Sequence, residues 1–294
     1  MAIITLTTDF GYSDANVGIL KGIIHSINPA AQIIDITHNI KPQDITQGAF
    51  MLHISHRHFP PGTIHLSVVD PGLGNSRPIC IEVPEVGYFI GPDNKLFSCI
   101  LDSYPNLKAR ELKGTTYFHT EKSDTIPGRD IFATVAAHLS LGELFKDVGT
   151  LLDREELSRF PVLWPELEEQ TNGIRKIVGR VMYIDNFGNI ISNIHQLKLS
   201  SFTEKQLSTC SVRVEPASGI LGGRLETKGL KQTTNKYKAG EIIALYNNNE
   251  FLEIARVNGK AAFREAVGGY PPLQYINNGD EFIVEIPPKI GKPF

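Results

Sequence analysis

The chain has 294 residues, 41% of them hydrophobic and 21% charged, and a net charge of −3. That length exceeds the usual single domain and leads to an expectation of two, while a near-neutral balance without a basic run argues against nucleic acid and for small-molecule partners. Three widely separated cysteines, Cys80, Cys99 and Cys210, form no CxxC pair, which speaks against a disulfide framework or a zinc ribbon, and no run of about eighteen apolar residues is present to cross a bilayer.

The first residues, MAIITLTTDFG, lack a basic n-region and reach an acid at Asp9, so they read as a strand over 2–8 and not as a signal peptide, with the cytoplasm as the expected location. Ser13 or Asp14 can cap a helix over 15–28, whose face carries Val17, Leu20, Ile24 and Ile27 and which stops at Asn28-Pro29. A second strand follows at 32–37, and Asp44 caps a second helix that runs to His56. Next comes GTIHLSVVDPGLGNSRP, in which Ile64, Leu66, Val68 and Val69 give a buried strand its β-branched, apolar character before Asp70-Pro71-Gly72 breaks it. This β-α-β-α-β order predicts a mainly parallel sheet with right-handed crossovers, which places Asp9 and Asp70 on one rim. Strands are expected at 78–83 and 88–91, a short helix starting at Asp93 or Asn94, and a helix over 128–142 with Ile131, Val135, Ala136 and Leu139 at helical spacing.

We read 1–160 as an N-terminal α/β domain and 161–173, with Pro161, Pro165 and the acids Glu166, Glu168 and Glu169, as a linker. Residues 174–294 then form a smaller antiparallel, barrel-like β domain of short strands at 174–184, 190–194, 210–214, 241–246, 251–257 and 281–286.

Asp70 ends a strand, and in open α/β sheets ligands bind in the crevice beyond strand C-termini. Arg77 follows a loop with Gly72 and Gly74 that can fold back to bring guanidinium to carboxylate. The plain alternative is a turn-capping Asp beside a solvated Arg. Asp9 suits a vicinal diol, since a carboxylate offers two acceptor oxygens, or else caps the following helix. IDNFGNIISNIH packs Asp185, Phe187, Gly188 and Asn189 into a strand-turn-strand that can hold a purine or be an ordinary hairpin, and Asn247, Asn248 and Asn249 form a tight polar loop. Among His53, His56 and His58 only the first two share a helical face, and no nearby carboxylate completes a metal set, so no metal is expected. GLGNSR lacks the P-loop frame, and no GxSxG or HExxH occurs.

Taken together, TTDFG, DITH at 35–38, VVDPGLG with Arg77, GPDN at 91–94, GRDIFA at 128–133, IDNFGN at 184–189 and LEIA at 252–255 resemble the S-adenosylmethionine hydroxide adenosyltransferases, also termed S-adenosylmethionine hydrolases and related to the fluorinase and chlorinase enzymes. The resemblance spans nearly the whole chain. It implies displacement at the ribose C5′ carbon of S-adenosylmethionine by water, giving adenosine and methionine without a further cofactor, in a homotrimer with sites between subunits. It further implies that Asp70 and Arg77 handle the water and that Asp9 binds the ribose. Asn189, Asn248 and Glu253 would give polar contacts, Phe187 a stacking face and Arg256 backbone contacts to adenine, with Asn16, Leu73, Ile126, Gly128 and Asp185 as further substrate-binding positions.

The pattern departs at one place. The family's hydrolases have a His before the GRD element, where this chain has Pro127, which offers neither donor nor base. His119 is the nearest His upstream. Halogenating relatives instead replace the strand-end acid with Tyr, whereas Asp70 and Arg77 are both present here, and the fluorinase insertion is missing between Val83 and Tyr88. The reading is therefore hydrolysis. The alternative is a non-catalytic binder of S-adenosylmethionine or adenosine.

Overall fold

A computed structural model describes residues 2–71, 76–113, 128–161, 164–216, 225–231, 236–264, 273–274 and 276–288. The chain divides into two compact units, Met1–Val162 and Leu163–Phe294.

In the first unit, β1 (Ile3–Thr8), α1 (Asn16–Ile27), β2 (Gln32–Thr37), α2 (Ile45–Ser55) and β3 (Thr63–Val68) follow the expected alternation. Next come β4 (Pro78–Val83), β5 (Gly87–Pro92), α3 (Ser98–Ser103) and β6 (Lys108–Leu112). A single π-helical turn, Gly128–Ala133, continues as α4 (Thr134–Ser140), and β7 (Gly149–Leu152) closes the unit. The sheet order is β2-β1-β3-β5-β4-β6-β7. β1 pairs in parallel with β2 and β3, and β3 with β5, whereas β4, β6 and β7 join antiparallel. The sheet is thus mixed: the expected parallel part is its β2-β1-β3-β5 half. β6, short and charged, and β7, of four residues, go beyond the strands expected from the sequence.

Alternation along the strands separates two faces. Ile4 and Leu6 of β1 and Ile64, Leu66 and Val68 of β3 pack with Leu20 and Ile24 of α1 and Val135, Ala136 and Leu139 of α4. On the opposite face Phe89, Ile79 and Ile81 meet Leu52 of α2 and Ile100 and Leu101 of α3. Each fully buried Leu or Ile contributes about 1.5–3 kcal/mol by removal from water, so Leu66→Ala, at a site with no exposure, costs about 2–5 kcal/mol once the cavity is included. Asp44 caps α2 through a 2.9 Å bond from the Gln47 backbone N–H. α1 instead starts at Asn16 after an uncapping Ala15, because Asp14 accepts only from the Asn16 N–H, at 2.9 Å. His53 and His56 are buried, His56 with its Nδ1 3.0 Å from the Leu52 carbonyl and its Nε2 2.9 Å from the Tyr104 hydroxyl, whereas His58 is exposed.

The second unit contains β8 (Glu166–Glu169), β9 (Arg175–Ile184), β10 (Ile190–His195), α5 (Glu204–Leu207), β11 (Ser211–Glu215) and β12 (Leu225–Lys228). After these come β13 (Ile242–Tyr246), β14 (Phe251–Arg256), the short pair β15 (Phe263–Arg264) and β16 (Leu273–Gln274), and β17 (Glu281–Ile286). The main sheet runs β12-β11-β17-β9-β10-β14-β13, entirely antiparallel. It nearly closes on itself, since Thr227 Oγ1 donates to the Ile242 carbonyl at 2.8 Å and the Lys231 N–H to the Ala244 carbonyl at 2.8 Å. The stretch 161–173, expected as a linker, contributes β8. Its acids stand opposite bases on β9, Glu168 facing Lys176 and Glu169 facing Arg175, with Leu167 against Ile177. Such cross-strand charge pairs favour a strand where composition alone suggests a tether. No helix among the described residues is long and apolar enough to cross a membrane.

Candidate functional site

In the β2-β1-β3 arrangement the first crossover leaves β1 on one side and the second returns on the other, which makes the gap between the C-terminal ends of β1 and β3 the topological switch point. Asp9 follows β1 and Asp70 follows β3, so both acids stand at that gap. β5 ends at the same rim with Asp93. Three neighbouring strand ends therefore each present an aspartate, and their surroundings differ.

Asp9 is turned to the backbone. Its Oδ2 accepts the N–H of Gln43 at 3.0 Å and of Asp70 at 3.2 Å, which ties the loop before α2 to the end of β3. Asp93, whose side chain is only 3% exposed, accepts Arg77 Nε–H at 2.6 Å on Oδ2 and the Ser158 N–H at 2.8 Å on Oδ1. Asp70 itself has its backbone in the left-handed region, φ +43°, a conformation that Asp and Asn tolerate better than other side chains. Both of its backbone polar groups are held, the N–H by Asp9 and the carbonyl by Asn94 Nδ2 at 2.7 Å. Asn94 Nδ2 also donates to the Val69 carbonyl at 2.8 Å. Among the described residues the Asp70 carboxylate receives no hydrogen bond or ion pair. It is the one acid of the three left with both oxygens open.

Arg77 does not hold Asp70, as the sequence led us to expect. Its Nε bonds Asp93, one terminal nitrogen bonds the Glu156 carbonyl, and the other lies 3.6 Å from the Glu156 carboxylate. The reason is register: Pro78 of β4 pairs with Pro92 of β5, so Arg77 and Asp93 are neighbours across the strand ends. Partial burial works against its charge, yet the bond to Asp93 and the charges of Asp93, Glu156 and Glu111 hold its proton more tightly than usual. Beside the rim, Thr8 Oγ1 lies 2.7 Å from His38 Nδ1, His38 Nε2 3.2 Å from Asp35, and Asp35 2.6 Å from Lys21 Nζ, a network that fixes the DITH segment. Asn16 is exposed at the start of α1. Gly128 opens the π-helical turn, a feature often found at functional sites. Leu73, Ile126, Pro127 and His119 lie outside the described residues.

In the second unit, Asp185 organises the turn between β9 and β10. Its Oδ1 accepts the N–H groups of Phe187 at 2.9 Å and Asn189 at 2.8 Å, and its Oδ2 the Asn189 side-chain amide at 3.0 Å. Gly188 sits at φ +82°, and a Cβ there would lie 2.5 Å from Lys260 Cβ, so only glycine fits. The turn leaves the Phe187 ring 76% exposed. Next to it, Asn189, Tyr237, Glu253, Ala255, Arg256 and Asn258 line a recess of about 370 Å³. Glu253 is buried, and desolvation, then the charge of Asp185, push its carboxyl up to about 7. Asn248 is not part of this recess. It is exposed at the tip of the β13–β14 hairpin, where Asn247 Oδ1 closes the turn by accepting from the N–H groups of Asn249 at 2.9 Å and Phe251 at 3.1 Å.

The sequence reading named Asp93 and Asn94 only as the start of a short helix and within the GPDN motif, and Gln43 and Glu156 not at all. A signal existed for Asp93, since GPDN ends a strand with Asp beside breaker residues just as DFG and DPG do.

The N-terminal domain model of the SAM hydroxide adenosyltransferases matches residues 4–149 and the C-terminal domain model residues 179–269. The chain is 33% identical over 265 residues to an (R)-S-adenosyl-L-methionine hydrolase of Methanocaldococcus jannaschii, covering 88% of this chain and 90% of that one. To the protein of the same name from Salinispora tropica it is 31% identical over 260 residues, covering 88% and 92%. A crystal structure of an uncharacterized conserved protein from Thermotoga maritima superposes with a TM-score of 0.80 at 30% identity, covering 96% of this chain and 99% of that one. With both domain models matched in order, the chain belongs to the SAM hydroxide adenosyltransferase family.

Proposed function

We propose that the protein hydrolyses S-adenosyl-L-methionine to adenosine and L-methionine. The observation that carries this reading is the open carboxylate of Asp70, at the switch point, beside Asp9, which has one oxygen engaged, and Asp93, which has both engaged. Relatives named (R)-S-adenosyl-L-methionine hydrolase at about one-third identity support the substrate and the enzyme class. The sulfonium is a good neutral leaving group, so catalysis needs an oxygen nucleophile aligned with the C5′–S bond and little else. Water attacks C5′, the bonding pair leaves with sulfur to give the methionine thioether, and the water proton passes to Asp70. Asp70 orients the water and accepts its proton as the C–O bond forms. Arg77 stands at the same rim, paired with Asp93 and Glu156.

On this reading Asp9 keeps one oxygen for the ribose diol, Phe187 stacks on the purine, and Asn189, Glu253 and the backbone around Arg256 contact it. The family resemblance further supports a homotrimer in which the rim of one subunit and the recess of another share the substrate, to be checked by light scattering. Incubation with each sulfonium epimer of S-adenosylmethionine in ¹⁸O-labelled water tests the activity. Labelled adenosine and methionine from the R epimer, lost in Asp70→Asn, are expected. Ligand bound but recovered intact would favour the alternative of a non-catalytic binder, with Pro127 in place of the family His as its cause.

A further inference from the structure

We propose that Asp93 and Asn94, consecutive residues at the end of β5, form a positioning element that holds Asp70 and Arg77 at the rim while keeping them out of a direct ion pair. The proposal rests on the hydrolase reading and adds to it two residues that act through others.

β5 lies between β3 and β4 in the sheet, so its end stands between the residue leaving β3 and the residue entering β4. The two side chains of the dipeptide reach opposite ways. Asp93 takes Arg77: Nε–H on its carboxylate at 2.6 Å, with a backbone bond from the Asp93 N–H to the Arg77 carbonyl at 2.9 Å. Asn94 takes the Asp70 turn through the Val69 and Asp70 carbonyls, and its own Oδ1 accepts the Leu96 N–H at 3.3 Å, so its amide is used at both ends. Ser158 N–H on the second oxygen of Asp93 leaves that carboxylate no freedom to turn.

Without this grip, an Asp and an Arg separated by a short glycine-containing loop would close on each other. An arginine within about 4–6 Å lowers an aspartate's proton affinity by roughly ten- to a thousand-fold, and it would occupy the oxygens that the water needs. Holding Arg77 on Asp93 and Glu156 leaves the Asp70 carboxylate unobstructed. The charged groups of this rim are Asp9 at the end of β1, which accepts the Asp70 N–H, and Arg77 at the start of β4 with the acids that face it, Asp93 at the end of β5, Glu156 in the turn after β7 and Glu111 on β6.

The test is to follow the Asp70 carboxyl by ¹³C NMR across pH in the ligand-free protein, wild type against Asp93→Asn, beside kcat, KM and the pH profile with S-adenosylmethionine. Neutralising Asp93 releases the Arg77 charge, so the Asp70 midpoint and the acid limb of kcat/KM are expected to move to lower pH. Misplacement of the pair should lower kcat about tenfold or more with KM within about twofold. An Asp70 midpoint and acid limb that stay at the wild-type pH would overturn the proposal. Should Asp93→Asn not fold, Glu156→Gln at the half-exposed partner reads the same quantity: a smaller move downward supports the proposal, and none overturns it. Asn94→Ala is expected to lower kcat about tenfold at unchanged KM, and full kcat in that variant would remove Asn94 from the positioning element. Because the NMR arm needs no turnover, a wild-type protein that leaves S-adenosylmethionine intact would sink the hydrolase reading while the titration still decides the positioning one.

Discussion

The rim of the first unit and the recess of the second are built by opposite means. At the rim, each tie joins residues far apart in sequence: Asp9 to Asp70 across 61 positions, Asn94 to Asp70 across 24, Arg77 to Glu156 across 79. In the recess, the turn that presents Phe187 is held by Asp185 over 2 and 4 positions. On the proposed function, a carboxylate that takes part in the reaction must be fixed from several directions, because a shift of about 1 Å is enough to cost two orders of magnitude in rate. A stacking face needs only to be offered to solvent on a stiff turn, and local hydrogen bonds suffice for that.

This contrast can be broken in four places. Asp70→Asn keeps size and backbone preference but removes the proton acceptor, so turnover should fall by about 10²–10⁴-fold while calorimetry with adenosine shows nearly unchanged affinity; full activity would end the role assigned to Asp70. Asp9→Ala strikes both substrate and scaffold. It removes the proposed ribose acceptor and leaves the part-buried Asp70 N–H without its partner, so adenosine binding should weaken and the melting temperature fall, for a loss of about 1 kcal/mol in stability. Unchanged affinity would argue against the ribose contact, and unchanged stability against the tie. Phe187→Ala should weaken adenosine binding by about 1–3 kcal/mol through lost stacking, and because the ring is exposed, chemical denaturation should show no loss of stability.

Glu253→Gln gives an effect on stability that depends on pH. The carboxyl titrates near 7 in the folded protein and near its ordinary value in the unfolded chain, so the folded state holds the proton more tightly. Stability from this group is complete below the unfolded value and is lost as pH rises through about 7. The neutral variant should therefore melt higher than wild type at pH 8, by an amount worth up to about 2–3 kcal/mol, and the gain should vanish near pH 4. A pH-independent difference between the two proteins would count against a buried, strained carboxyl.

The same contrast explains what the sequence could reveal. α1, α2 and α4 and strands β1, β3 and β14 were legible because their apolar periods and stop signals are local. The Asp185 turn was legible for the same reason, since Asp-Asn-Phe-Gly-Asn is turn chemistry whatever surrounds it. β6, β7 and β8 were not: Lys-Ala-Arg-Glu-Leu, Gly-Thr-Leu-Leu and Glu-Leu-Glu-Glu are too short or too charged to signal a strand, and become one only against a partner such as Lys176 and Arg175. The partner of Arg77 was misjudged because sequence places Asp70 closer to it than Asp93, whereas the antiparallel register of β4 on β5 brings Asp93 alongside. Sheet order, which depends on crossovers and not on spacing, decides who meets at the rim.

The left-handed backbone of Asp70 also limits how this position can evolve. Asn or Gly can take its place without backbone cost, but a bulkier residue would bear about 1–2 kcal/mol of strain or force the turn to a new shape, with its ties to Asp9 and Asn94. Tyr, the residue that the resemblance places here in halogenating relatives, falls in the second group. Exchange of one nucleophile for another at this strand end would therefore require coordinated changes at several rim residues, so that a single substitution at position 70 is a poor route to halide chemistry.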